Sequence, residues 1–161
     1  MICFVVLVSA IILLAVVPSV STGSEGAGLI VQTNEERLQY LQSLGYQVSN
    51  DQPEIREILI PDEFDEVFEQ YNAVQKTANM DLKPYHGKRI KCYAYKVVNY
   101  PQQENVLAHL YIYKDKIVGG DICSTELNGF MHGLFPLSSP ETSAVITTTS
   151  VAKATTTATK K

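Results

Sequence analysis

The chain has 161 residues, three cysteines, no tryptophan and a net charge of −4, a size that fits one domain. An acidic balance with a pI near 5.3 argues against binding nucleic acid through bulk positive charge. Three cysteines without a CxxC pair exclude a disulfide framework and a zinc ribbon, and no cofactor is expected.

The apolar residues crowd at the start. Ile2 to Val17 reads ICFVVLVSAIILLAVV, uncharged, with Ser9 as its one polar interruption. Such uniformity excludes a loop or an amphipathic surface helix. Its length falls between a signal-peptide core and a full membrane span, and no Lys or Arg precedes it. Residues 1–20 are read as a membrane anchor, with a signal peptide cut before Thr22 as the alternative. Either places the remainder outside the cell membrane, single-pass in the first case and secreted in the second. Residues 21–32 read as a linker, 33–135 as one domain, and 136–161, rich in Thr and Ser, as a disordered tail.

Within the domain, Thr33 and Glu36 have capping-box spacing, Leu38, Leu41 and Leu44 follow at roughly helical intervals, and Gly45 is a natural stop. A helix over 34–44 is therefore predicted, then a brief strand at Tyr46 and Val48. Glu54 to Ile60 reads as a strand. Phe64, Val67, Phe68, Tyr71, Val74, Gln75 and Ala78 then mark a second helix over 62–78, its first turns rich in Asp and Glu.

From Lys88 the period changes to two. Strands are predicted over 88–98, 106–113 and 116–123, the last two joined at Lys114-Asp115. A simple hairpin register sets Ile112 against Ile117, Tyr111 against Val118, His109 against Gly120 and Ala108 against Asp121. The expected fold is α+β, with two helices packed on one face of a small antiparallel meander of three to five strands. Charge divides within it: residues 34–81 hold 3 basic and 11 acidic groups, residues 82–133 hold 7 and 4.

The motifs GYxV, IPDEFDEVFEQYNAVQ, DLKPYHGK, NYP, AHLYIYKDKIVGGDICS and GFMHG occur in that order. Together they resemble the bacterial family called domain of unknown function 4830, over about residues 34–134. The resemblance implies a small extracytoplasmic, membrane-tethered domain of Gram-positive anaerobes. It brings no catalytic residue, substrate or cofactor, and the Thr-rich tail falls outside its pattern.

For chemistry, His86, His109, His132, Cys92, Cys123 and Asp121 are the usable metal ligands, but none stands at HxxxH, HExxH or CxxC spacing, so no metal site is assigned. Cys92 and Cys123 are the pair available for a disulfide. The simple register puts them on opposite faces and two strands apart, so free thiols are favoured, and a Cys123–His132 nucleophile has no supporting motif. If the helices cover one face, Tyr93, Tyr95, His109, Tyr111 and Tyr113 share the other, either an open aromatic surface for glycan, peptide or protein or a face covered by the Gly129–His132 loop or the first helix, where tyrosine pairs across strands serve sheet stability. Asp121, with Asn72 and Gln75 on the long helix, is a second candidate; the last two are better explained by satisfying buried backbone groups.

The candidate ligand-binding residues are thus Tyr93, Tyr95, His109, Tyr111 and Asp121. The function expected is a non-catalytic binding or interaction module, tethered to the membrane through residues 2–20 and meeting an envelope protein or glycan. The alternative is a small exported enzyme or metal-dependent hydrolase using His, Cys and Asp groups.

Overall fold

A computed structural model describes residues 28–138. The apolar N-terminal segment, most of the linker and nearly all of the Thr/Ser-rich tail lie outside the described residues. No helix among the described residues is long and apolar enough to cross a membrane.

Helix α1 spans Asn34–Ser43 and begins with the capping box. The Glu36 amide donates to the Thr33 hydroxyl at 3.2 Å, and the Thr33 amide donates to the Glu36 carboxylate at 3.0 Å. Helix α2 spans Glu66–Thr77, starting later than the acidic run suggests. Asp65 is the reason: its side chain accepts the Phe68 amide at 2.8 Å and so makes Asp65 the cap.

The five strands are β1 (Glu54–Leu59), β2 (Arg89–Val97), β3 (Val106–Tyr113), β4 (Lys116–Ser124) and β5 (Met131–Gly133). They form one antiparallel sheet in chain order, so the α+β class and the meander are as expected. Tyr46 and Val48 form no strand of their own; Val48 makes a single bridge to Val97.

Two further expectations need correction. The helices do not share a face. Tyr40 and Leu41 of α1 pack in one core with Tyr93, Tyr95, Val97, Ala108 and Leu110. Phe68 and Tyr71 of α2 pack in the other with Ile90, Cys92, Tyr111 and Val118. Cys92 through Tyr95 are all buried, so β2 is apolar on both sides and each side needs a cover.

The second correction concerns register. Ile112 does face Ile117, but Tyr111 faces Gly119, leaving Val118 as an extra residue in a β-bulge. Everything beyond it moves by one: His109 faces Asp121, and Ala108 faces Ile122. A one-residue shift exchanges the faces, so Asp121 and Cys123 join His109 and Tyr111 on the α2 side.

Candidate functional site

Beneath α2, Asp121 is fully buried and its carboxylate is the centre of a polar cluster. Oδ1 lies 2.8 Å from His109 Nδ1. Oδ2 accepts from Tyr71 at 2.6 Å and from Tyr111 at 2.9 Å, and the two phenol oxygens are themselves 2.6 Å apart. Two hydroxyl protons therefore serve three oxygen–oxygen contacts. Burial, reinforced by the Asp121 charge, pushes both phenol pKa values well up. For His109, burial opposes the charged ring, but the hydrogen bonds to Asp121 and Cys123 and the charges of both groups together outweigh it, and the pKa rises to about 9. Cys123 Sγ stands 3.8 Å from the same nitrogen, Nδ1, while His109 Nε2 is buried without a partner among the described residues.

The neighbouring amides do what satisfying buried backbone requires. Asn72 Oδ1 accepts the Leu82 amide and Gln75 Oε1 the Gly120 amide, both at 2.8 Å, and neither side chain bonds Asp121. The cysteines are free. They share a face rather than occupying opposite ones, because the bulge turns Cys123 over. Cys92 faces Tyr111 and Cys123 faces Leu107, however, so a strand still separates them. Burial raises the Cys92 thiol to about 11.

The expected aromatic surface is not one surface. Tyr93 faces Leu110 and Tyr95 faces Ala108, under α1, whereas His109 and Tyr111 lie under α2. Tyr93, Tyr95 and Tyr111 are buried. Of the two readings of that face, the covered one holds for Tyr93 and Tyr95, which α1 buries; the open surface required helices on one face only.

Tyr93 and Tyr95 instead hold an arginine. Arg37, on α1, is only 8% exposed. Its Nε donates to the Tyr95 hydroxyl at 2.9 Å, that hydroxyl donates on to Asn34, and the guanidinium lies 4.0 Å above the centre of the Tyr93 ring. Arg37 and Tyr93 help line a groove of about 310 Å³ with Arg89, Lys91 and Lys114 as further cations and Glu57 and Asp115 as acids. Glu57 is already engaged by Arg89 at 3.1 Å. The groove carries four cations and two acids, on a chain of net charge −4. The sequence reading missed Arg37, although the signal was present: Arg37, Leu41 and Leu44 stand at i, i+4, i+7, which puts a cation on the buried stripe.

The model of one family, described as Domain of unknown function (DUF4830), matches residues 40–122. This stretch covers more than half of the chain and holds most of both candidate regions, with Asn34, Arg37 and Cys123 outside it. No curated protein matches, and no solved structure matches.

Proposed function

We propose, for a chain that belongs to the DUF4830 family, a non-catalytic binding module tethered outside the cell membrane through residues 2–20, whose ligand presents carboxylate or phosphate groups to the groove over Tyr93. Envelope proteins and envelope glycans can both carry such groups. The observation behind this reading is the state of Arg37. A guanidinium taken out of water needs a counter-charge or a full set of acceptors. Arg37 has one phenol oxygen and one ring face, with no carboxylate in salt-bridge reach among the described residues. An anion in the groove supplies what is missing, and Lys91 and Lys114 at its margin add attraction. An uncharged apolar segment of some nineteen residues suits the tether.

The test is calorimetric titration of the full chain, in detergent micelles, with poly-glutamate, with polyphosphate and with neutral dextran. Salt-sensitive binding of an anion is expected, weakened at least tenfold in a Lys91→Glu/Lys114→Glu double variant. Preference between the two anions separates the protein from the glycan source. Binding to neither, or binding unchanged in the double variant, defeats the reading.

The rival, a small exported enzyme or metal-dependent hydrolase, has the gathering of His109, Asp121 and Cys123 in its favour. As a nucleophilic triad it is poorly arranged. Asp121 and Cys123 meet the same ring nitrogen, whereas a base relays a proton through two.

A further inference from the structure

We propose that His109 Nδ1, Asp121 Oδ1 and Cys123 Sγ form a binding site for a borderline-soft divalent metal of the zinc type. The three ligand atoms lie within 4.8 Å of one another, at 2.8 Å for N···O and 3.8 Å for N···S. Around a tetrahedral zinc, bonds of about 2.0–2.3 Å separate neighbouring ligand atoms by roughly 3.2–3.7 Å. The observed spacings bracket that range, and side-chain adjustments of about an ångström reach it. The Nδ1 proton now stands between nitrogen and carboxylate, where a metal would replace it.

Charge favours the exchange. A carboxylate, a thiolate, a neutral imidazole and a divalent cation sum to zero, as a buried site requires. The donor set is selective: one sulfur and one imidazole nitrogen suit zinc or cobalt, while calcium and magnesium take oxygen.

The supporting shell is in place as well. Tyr71 and Tyr111 occupy Oδ2, which holds the carboxylate in one orientation and leaves Oδ1 for the metal. The ligands sit on paired strands, His109 directly across from Asp121, with Cys123 two residues further along the same face. Cys123 is the partly exposed member and gives the ion its way in. With three protein ligands, a fourth position is left for water. The site lies under α2 and the Arg37 groove beside α1, so either can fail alone.

Cobalt is the probe. The full chain carrying Cys3→Ser, reduced and treated with chelator, is titrated with Co2+ and followed by absorption. One equivalent is expected to bind with a thiolate-to-cobalt charge-transfer band and intense visible bands of tetrahedral cobalt, both erased by Zn2+. Cys123→Ser removes the charge-transfer band, Asp121→Asn weakens binding at least tenfold, and Cys92→Ala leaves the spectrum intact. Circular dichroism checks that each variant is folded. Absence of the band in the reduced parent overturns the site, as does its survival in Cys123→Ser or its loss in a folded Cys92→Ala.

Discussion

His109 and Asp121 face each other across β3 and β4 because β4 contains one residue more than β3 between that pair and the hairpin turn. Val118 is the extra residue. Without it Asp121 would lie on the α1 side, among the aliphatic side chains opposite Ala108, with no partner for its charge. With it, the carboxylate meets an imidazole and two phenols. The bulge thus sets the chemistry of a cluster whose members stand up to fifty residues apart in sequence.

Removing the carboxylate is expected to be costly. Asp121→Ala leaves His109 and two phenols without their shared partner, and should lower unfolding free energy by about 3–5 kcal/mol. Asp121→Asn keeps the shape and should cost less. Urea unfolding measures both. A loss below about 1 kcal/mol for the alanine variant would show that the cluster opens to water.

Tyr71→Phe and Tyr111→Phe should each cost about 1 kcal/mol, and the double variant should differ from their sum. The phenol oxygens touch each other as well as Asp121, so the two substitutions share one network. Strict additivity in a double-mutant cycle would mean that the phenols act separately.

Two histidines give the stability opposite pH limbs. His109 has its folded pKa raised to about 9 from 6.5, so its contribution is complete below 6.5 and fades as pH rises through about 9. Burial lowers the His132 pKa below 6.5, against a hydrogen bond to the Gly133 carbonyl. Its contribution is present above 6.5 and is lost as pH falls through the lowered value. The metal-free chain should therefore show a falling melting temperature between pH 6.5 and 9 that His109→Gln flattens. His132→Gln should flatten the acid side instead. Unchanged limbs would assign the pH dependence to other groups.

Arg37→Met should separate stability from binding. The side chain is long, buried and without an anionic partner among the described residues, and replacing such a charge with an apolar chain of similar length is often neutral or stabilising. The variant is expected to melt no lower than the parent and to lose anion binding. A marked destabilisation would mean that the Tyr95 bond and the Tyr93 stack already satisfy the cation.

Gly120→Ala tests the tightness of the sheet. A methyl group there would overlap Leu134 Cδ1 and the His109 carbonyl oxygen, and backbone cannot move aside as a side chain can. A loss of about 1–3 kcal/mol is expected from such overpacking. A silent substitution would show that β4 can shift away from β3.

Local chemistry was legible in the residues. The Thr33–Glu36 box, the spacing of Phe64, Phe68 and Tyr71, and the alternation through three consecutive strands predicted both helices and most of the meander, because each depends on neighbours a few positions away. The motif order pointed to the family. What stayed hidden was set at a distance. Alternation shows that Cys92 and Tyr93 point to opposite sides, but not that both sides are covered, since a cover comes from another part of the chain. Nor does a hairpin of apolar and glycine residues announce a bulge. The extra residue, Val118, is buried in the cluster under α2, a contact with a distant part of the chain. Asp121, Cys123 and Arg37 owe their surroundings to those two non-local decisions. Sequence by itself determined the elements and their order; tertiary packing decided which side chains meet, because one residue of register exchanges the two faces of a strand.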